Sequence, residues 1–257
     1  MIIVAIRTRT ILVAGAAAVA ALALSGCGAD PSDAPAEHKS FALSGKTLTV
    51  DSDNASIELV PADVKTVEVT RRVDGWVFLG SGPHASWSMK NDKLTLRLKC
   101  DALASDCAAR HQIKVPRGVT VVVQDDNGRI TATGFTTPLK LRSDNGAVVV
   151  RDSAGALDLS SNNGSVNAEN VSSGSVTAGS DNGAVRLAFS KAPDRVKTVS
   201  DNGAVEIALP TGTGLAYRVD TSSDHGRVKI SVPRNDSSTH VVSARSGNGE
   251  VTVRSAN

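Results

Sequence analysis

Apolar and polar residues alternate in short runs along the second half of the chain. The alternating apolar positions include Leu139 and Leu141, Val148 and Val150, Leu157 and Leu159, Val166 and Ala168, and Val185 with Leu187 and Phe189. Successive side chains of a β-strand point to opposite faces, so this period of two predicts short strands that bury one face. A less regular form of the pattern, for example at Leu48 and Val50, extends the prediction to residues 41–116. The chain is therefore expected to be all-β.

A Ser-Asp-Asn-Gly-x-Val phrase separates these runs and recurs to the end of the chain. The clearest copies contain the pairs Asn127-Gly128, Asn145-Gly146, Asn163-Gly164, Asn182-Gly183 and Asn202-Gly203, and looser copies contain Asn54-Ala55, His225-Gly226 and Asn248-Gly249. From Gly128 onward, successive glycines of the phrase are 18, 18, 19, 20, 23 and 23 residues apart. Asn and Gly accept positive φ angles, so each phrase predicts a turn. A weaker second turn, at Ala154-Gly155 and Ser173-Gly174, divides the repeat into two strands.

A repeat of strand, turn, strand, turn in 18–20 residues predicts one rung of a two-sheet β-solenoid. Rungs of equal length place equivalent turns above one another, so their Asn side chains can bond along the stack while neighbouring rungs share a core. The alternative is an antiparallel β-sandwich, because Asn-Gly also suits two-residue hairpins. Aromatic residues make up only 3% of the chain. This favours the solenoid, whose thin core suits small aliphatic side chains.

An irregular capping region is expected at the N-terminal end of the solenoid. Residues 71–90 form a glycine-containing stretch that interrupts the strand pattern and holds both tryptophans of the chain. A projecting insertion or hairpin there would cover the open end of the core, as terminal repeats require. A ligand-binding loop is the other interpretation, and its candidate binding residues are Trp76, Phe78, His84 and Trp87.

The first 26 residues have the composition of an export signal. They contain Arg7 and Arg9, no acidic residue, and an apolar run from residue 11 to residue 24 that is shorter than the roughly 20 residues a membrane-spanning helix needs. The sequence Leu24-Ser25-Gly26-Cys27 resembles the lipobox of bacterial lipoproteins. That resemblance implies that Cys27 carries a lipid, becomes the N-terminus and holds the protein to the outer face of the cell membrane; an ordinary secreted protein is the alternative.

The remaining chain is expected to divide into a tether and one domain. Residues 27–40 are rich in Ala, Asp, Pro and Ser and are predicted to be a flexible tether, with residues 41–257 forming the β-repeat domain. Loss of residues 1–26 would leave 26 basic against 26 acidic residues. A neutral chain with scattered charges lacks the basic patch expected of a nucleic-acid-binding protein or a polybasic membrane site. The partners expected are the membrane, through the lipid, and an envelope protein or glycan.

Two cysteines besides Cys27 are relevant to the cellular compartment in which the protein is expected to fold. Cys100 and Cys107 flank residues 101–106, between an alternating run that ends at Leu98 and another that begins at Ile113. In an oxidising exterior compartment they are expected to form a disulfide that staples a hairpin near its turn. A zinc site that adds His111 is the weaker alternative, because no fourth ligand has a suitable spacing.

No constellation of residues predicts catalysis or a cofactor. The Gly-x-Ser-x-Gly elbow, the His-Glu-x-x-His zinc helix, the phosphate loop and the dinucleotide fingerprint are all missing from the sequence. A column of turn acids raises the question of calcium, but Asp and Asn cap turns without an ion, so no metal is expected. The acids in question are Asp126, Asp144, Asp181, Asp201 and Asp224. A glycan-active β-helix enzyme remains the alternative, and it predicts a concave groove lined by acids.

The lipobox followed by Ser-Asp-Asn-Gly-x-Val rungs resembles a bacterial family of unknown function, described as putative adhesins with a β-strand repeat. The resemblance covers about residues 41–253 and rests on the five clearest phrases, between Asp126 and Val205. It implies a β-solenoid displayed outside the membrane and supplies no catalytic residue. The expected function is that of a lipid-anchored, non-catalytic binding, adhesion or envelope-scaffold module, with an envelope stress or sensor component as a further alternative.

Overall fold

A computed structural model of the chain describes residues 29–256. Within that range the protein is built of nineteen β-strands and one short 3₁₀ helix, Pro31–Asp33. The N-terminal strands are β1 (Glu37–Phe41), β2 (Thr47–Ser52), β3 (Ala55–Ala62), β4 (Val67–Lys90) and β5 (Lys93–Pro116). The next are β6 (Thr120–Asp125), β7 (Ile130–Thr133), β8 (Leu139–Ser143), β9 (Val148–Arg151), β10 (Leu157–Ser161), β11 (Val166–Val171) and β12 (Ser175–Ser180). The last are β13 (Val185–Phe189), β14 (Arg195–Ser200), β15 (Val205–Leu209), β16 (Arg218–Ser223), β17 (Val228–Ser231), β18 (Val241–Ser246) and β19 (Val251–Ser255).

From β6 to β15 the chain alternates between two parallel sheets. Strands β6, β8, β10, β12 and β14 pair in order in sheet A, and β2 joins them beside β6. Strands β7, β9, β11, β13 and β15 pair in order in sheet B, and β3 joins them beside β7. Each rung is thus one strand of each sheet with a turn at both ends. The predicted β-solenoid is confirmed, and the alternative of an antiparallel sandwich is not what the chain forms.

The core lies between the two sheets and is a stack of equivalent positions. In sheet A, Leu141, Leu159 and Ala178 occupy the same register position on successive strands, and all three are buried. Val148, Val166 and Val185 do the same in sheet B. Buried side chains of this kind form one continuous cluster from Phe41 to Val253. The alternation of the sequence therefore becomes a thin aliphatic core shared by all rungs.

Asn side chains form a ladder along one edge of the solenoid. Asn163 Nδ2 donates to Asn145 Oδ1 at 2.8 Å, and Asn182 Nδ2 donates to Asn163 Oδ1 at 2.9 Å. The ladder continues to Asn54 at one end and to Asn248 at the other. Each turn is tied to the turn of the adjacent rung, as stacking of equal rungs requires.

The glycine of each phrase is needed for close packing rather than for a positive φ angle. The glycines with positive φ in the described chain lie elsewhere, for example Gly118 and Gly134. A Cβ atom on Gly164 would collide with the carbonyl oxygen of Gly146 in the preceding rung, and the same collision recurs along the column. The prediction of turns at these positions holds, but the positive φ expected for their glycines was wrong.

The rungs at the C-terminal end are not stacked in chain order. Strand β18 lies between β14 and β16, and β19 lies between β15 and β17. Strands β16 and β17 therefore form the outermost rung. Tyr217, which precedes β16, is fully buried, and its hydroxyl donates to the carbonyl oxygen of Pro210 at 2.7 Å. That bond fixes the long connection that carries the chain to the outer rung.

A long hairpin of β4 and β5 caps the N-terminal end. The first residues of β5 pair with β2 in sheet A, where Leu96 lies opposite Ser52, and its last residues pair with β3 in sheet B, where Ala109 lies opposite Ala55. Ser52 and Ala55 are joined by two residues, whereas twelve residues separate Leu96 from Ala109. These additional residues project from the solenoid as a two-stranded ribbon, in which residues 74–86 of β4 lie opposite residues 97–108 of β5. The expected cap is present, and it takes the form of a ribbon whose register shifts between Ser81 and His84.

The segment before the solenoid differs from the expected flexible tether. Strand β1 pairs antiparallel with β4, from Glu37 opposite Arg71 to Phe41 opposite Val67. Asp30 caps the 3₁₀ helix by accepting from the Ser32 backbone N–H at 3.0 Å, and a proline occupies the first turn. The Pro, Asp and Ser content thus encodes a capped turn followed by a strand, and the prediction of a free tether over residues 29–40 was wrong. Cys27 and the expected signal segment, residues 1–26, lie outside the described residues.

Candidate functional site: the ribbon and its tip

The ribbon presents different side chains on its two faces. Opposite residues of an antiparallel pair share a face, and the register places Trp76 opposite Asp106 and Phe78 opposite Ala104. These residues point away from the solenoid. The other face packs over a small satellite cluster in which Val73 contacts the buried Ala55, Leu98 and Ala109.

The ribbon folds back on itself and is closed by a disulfide. Leu79 and Gly82 have positive φ angles of 49° and 132°, and the register of β4 with β5 shifts between Ser81 and His84. Cys100 and Cys107 are bonded to each other on the inner side of this bend. Both cysteines belong to β5. The disulfide therefore closes a bend within one strand, unlike the expected staple near a hairpin turn.

Four large apolar side chains are exposed at the bend, and we call them the tip: Trp76, Phe78, Leu79 and Leu103. Their exposed fractions are 53%, 55%, 72% and 77%. The other exposed large apolar side chains of the described residues are three separate valines, Val60, Val199 and Val228. A grouped apolar surface on a soluble domain marks a place of contact with a partner or a membrane. Leu79 and Leu103 were not among the candidates predicted from the sequence.

Trp87 and His84 do not belong to the tip. Trp87 is half-buried, its ring centroid is 6.3 Å from that of Phe41, and the guanidinium of Arg71 lies 4.2 Å from the Trp87 centroid. Trp87 thus covers the open end of the core, in agreement with the capping interpretation. His84 is exposed opposite Lys99, beyond the register shift. Residues 71–90 therefore include both a capping residue, Trp87, and an exposed apolar surface at Trp76 and Phe78.

The first described residues are held against the tip-bearing face of the ribbon. The backbone N–H of Ala29 donates to Asp106 Oδ2 at 2.8 Å, and that of Asp30 donates to Asp74 Oδ2 at 3.0 Å. We call Asp74 and Asp106 the clamp. Strand alternation places Asp74 on the face of Trp76, and cross-strand pairing places Asp106 there as well. The chain therefore enters the fold beside the tip, two residues after Cys27.

Beneath the cap lies a buried pair of basic residues. Arg71 donates to Glu37 Oε2 at 2.6 Å, and His111 lies opposite Arg71 in the register. His111 is 2% exposed and its ring nitrogens have no hydrogen-bond partner. Burial, aided by the charge of Arg71, lowers the pKa of His111 to about 4. The imidazole is therefore neutral at physiological pH and serves as a packing group of the cap.

The carboxylates of the sheet faces are paired with basic residues. Glu206 accepts from Arg254 at 2.7 Å, Glu169 from Arg151 at 2.8 Å, and Lys140 donates to Asp158 at 2.7 Å. In the turn column, Asp144 accepts from Arg142 and from Asn162 of the next rung. Among residues 29–256, no group of three or more His, Cys, Asp or Glu side chains is arranged to hold a metal ion. In the same range, no helix is long and apolar enough to span a membrane.

A protein-family model named Toastrack DUF4097 matches residues 65–257. The chain belongs to this family. The Toastrack match begins just before β4 and therefore includes the ribbon, the tip and all later rungs. This confirms the predicted resemblance to a family of adhesin-like β-repeat proteins of unknown function, whereas the lipoprotein part of that prediction stays a prediction.

Solved structures with a similar fold come from several bacteria. They include a putative adhesin from Bacteroides fragilis NCTC 9343, 12% identical, with a TM-score of 0.46 over 87% of this Toastrack chain and 98% of the other. A putative adhesin from Parabacteroides distasonis ATCC 8503 is 12% identical, with a TM-score of 0.45 over 86% and 98% of the two chains. A putative cell adhesion protein from Clostridium sporogenes ATCC 15579 is 10% identical, with a TM-score of 0.37 over 86% and 99%. No curated protein matches the chain.

Proposed function

We propose that this protein is exported, held by a lipid on Cys27 to the outer face of the cell membrane, and used there as a non-catalytic binding or scaffold module. The observation that carries the proposal is the clamp, which fixes Ala29 to the folded domain two residues after Cys27. A lipid on Cys27 would place the solenoid directly on the membrane surface. The lipobox and the export-like composition of residues 1–26 agree with that location.

The disulfide supports a location outside the cytoplasm. Cys100 and Cys107 are bonded to each other in the ribbon, where both are half-buried and lie outside the main core. Disulfides persist in oxidising compartments and are rare where thiol-reducing systems operate. An exported protein has the environment that such a bond needs.

The sheet faces support binding rather than catalysis. Hydrolysis of a glycan by paired carboxylates requires one proton donor and one base or nucleophile beside a sugar-binding cleft. Here Glu206, Glu169 and Asp158 are each engaged by a basic partner on the surface of a sheet. The repeated, regular sheets offer an extended contact surface of the kind that repeat proteins use for recognition.

The lipid is tested by producing the full chain in a bacterium grown with an alkyne-tagged palmitate. The wild-type chain is expected to carry the tag, and Cys27→Ser is expected to lose it. A variant with Cys100→Ser and Cys107→Ser is the matched control and should keep the tag. An untagged wild-type chain, or a tag that survives Cys27→Ser, would contradict the proposed anchor.

The non-catalytic role is tested with purified chain and isolated cell-envelope polysaccharide. We expect the protein to produce no new reducing ends and no unsaturated sugar products from the polysaccharide. This expectation holds whether or not the polysaccharide sediments with the bead-bound protein. Steady product formation that increases with protein concentration would contradict a binding or scaffold role. Glu206→Gln with Asp158→Asn would then show whether the surface acids are responsible.

A further inference from the structure

We propose that the tip inserts into the outer surface of the membrane that holds the lipid on Cys27. The protein would then touch the bilayer at two neighbouring points, the acylated Cys27 and the apolar end of the ribbon. This inference rests on the proposed function, because it requires the lipid anchor. It adds a second, side-chain-mediated contact and a fixed orientation of the solenoid on the membrane.

The first step of the argument is the short distance between anchor and tip. Ala29 N lies 2.8 Å from Asp106 Oδ2, and Asp106 is the cross-strand neighbour of Trp76. Two residues of fully extended chain span at most about 7 Å, so Cys27 cannot lie far from this end of the ribbon. The polar headgroup layer of a bilayer is only about 5–8 Å thick on each side of the hydrocarbon. An acylated Cys27 therefore brings the tip to the depth of that layer.

The second step is the chemistry of the tip. Tryptophan is enriched at membrane–water interfaces, and phenylalanine and leucine favour the hydrocarbon beneath. Trp76 and Phe78 share the outward face, while Leu79 and Leu103 lie between the register pairs Phe78–Ala104 and Gly80–Ala102. All four are more than half exposed. The disulfide holds the bend closed, so the apolar side chains are presented without ordering a loop at the moment of insertion.

The third step is the charge around the tip. The clamp carboxylates of Asp74 and Asp106 already accept backbone N–H groups, and the neighbouring residues Lys99 and Asp101 have opposite charges. The ribbon therefore lacks the cluster of basic side chains that binds anionic headgroups. We infer that the tip contacts acyl chains and does not require a negatively charged lipid.

The experiment uses the two tryptophans of the chain as separate probes. The acylated full chain is purified from membranes and reconstituted into phosphatidylcholine vesicles, either plain or carrying bromine on the upper acyl carbons. Trp87→Phe leaves Trp76 as the reporter in the tip. Trp76→Phe leaves Trp87, which packs against Phe41, and is the matched control.

We expect bromine to quench most of the emission of Trp76 and to leave the emission of Trp87 almost unchanged. Replacing part of the phosphatidylcholine with phosphatidylglycerol should not alter this result. Equal emission of Trp76 in plain and brominated vesicles would overturn the inference and favour a protein partner for the tip. Quenching that appears only with phosphatidylglycerol would overturn the assignment to acyl chains.

Flotation of the vesicles separates this inference from the proposed function. A chain that does not float with the vesicles lacks a working anchor, and both proposals then fail. A chain that floats while Trp76 stays unquenched retains the anchor, and only the insertion of the tip is then wrong. Self-association of the tip would appear as a blue shift of Trp76 that depends on protein density in plain vesicles, and it would likewise overturn the inference.

Discussion

At the residue scale, the solenoid depends on three columns of equivalent residues at one of its turns, formed by the serines, the asparagines and the glycines of the repeated phrase. Ser161 shows how they work together, since its Oγ accepts from the Gly164 N–H at 2.8 Å and donates to the Gly146 carbonyl at 2.9 Å. The glycines leave room for the carbonyl of the adjacent rung, and the asparagines bond above them. The sequence predicts the position of each turn through these residue types. It does not reveal why glycine is required. A close approach of two backbones and a positive φ angle both select glycine, so the sequence does not distinguish them.

Gly164→Ala tests the close approach. The added Cβ would collide with the Gly146 carbonyl, so the backbone of two rungs must separate. Overpacking of this kind typically costs about 1–3 kcal/mol of unfolding free energy. Gly212→Ala is the matched control, because a Cβ there meets open space, and a change within about 0.5 kcal/mol is expected. Equal costs in urea unfolding would show that the column does not need glycine.

Asp125→Ser tests the one position in the serine column where an acid is buried. Asp125 is 3% exposed, and burial raises its pKa to about 6, although the Gly128 N–H, which donates to the carboxylate, opposes the shift. Because the pKa of the folded chain is raised, Asp125 favours the fold below about pH 4, and that contribution is lost as the pH rises through about 6. Asp125→Ser should therefore increase the unfolding free energy at pH 8, by up to about 2–3 kcal/mol, and give little gain at pH 4.

The reciprocal change provides the control for Asp125. Ser143 occupies the next position of the column and is fully buried. Ser143→Asp should introduce the same loss of stability with rising pH that Asp125→Ser removes. Parallel pH profiles of unfolding free energy for the wild-type chain and both variants would contradict the assignment.

At the element scale, the ribbon shows where sequence patterns stop being informative. The alternating apolar residues Leu94, Leu96 and Leu98 predict a strand with one buried face; Leu94 and Leu96 pack on the main core and Leu98 on the satellite cluster. Residues 99–108 are mostly small or polar and look like a loop, yet pairing with β4 makes them a strand. The sequence therefore predicts a projecting cap and its aromatic residues. The division of those aromatics between cap and tip arises from the register shift, which leaves no pattern in the sequence.

Removal of the disulfide should loosen the ribbon without unfolding the solenoid. Cys107 packs against the satellite cluster of Ala55, Leu98 and Ala109, which is separate from the main core. With Cys100→Ser and Cys107→Ser, backbone amides of residues 97–108 are expected to exchange faster with solvent deuterium. Peptides from residues 139–161 serve as the internal control and should keep their protection. Faster exchange throughout the chain would show that the ribbon is instead required for the stability of the whole fold.

At the scale of the whole molecule, the repeat predicts the architecture but not the order of the rungs at the C-terminal end. Steps of 18–20 residues leave little choice but to add each rung to the previous one. The last two steps are 23 residues long and therefore allow longer connections between strands. Such a connection can reach past the position of one rung. The strand compositions explain the choice: β16 and β17 are mostly polar, while β18 and β19 carry four fully buried apolar side chains, Val242, Ala244, Val251 and Val253. The more apolar rung occupies the interior, and the polar rung forms the end.

Matched valine truncations test this inserted order. Val242 of β18 and Val219 of β16 occupy the same register position on neighbouring strands, but Val242 is fully buried and Val219 is only half-buried. Removing buried methyl groups costs the lost burial and the cavity left behind, so Val242→Ala should lower the unfolding free energy by roughly 1–3 kcal/mol. Val219→Ala should cost clearly less, because solvent already reaches the outer rung. If the rungs instead stacked in chain order, β18 would be terminal and the ranking would reverse, so urea unfolding of the two variants distinguishes the two arrangements.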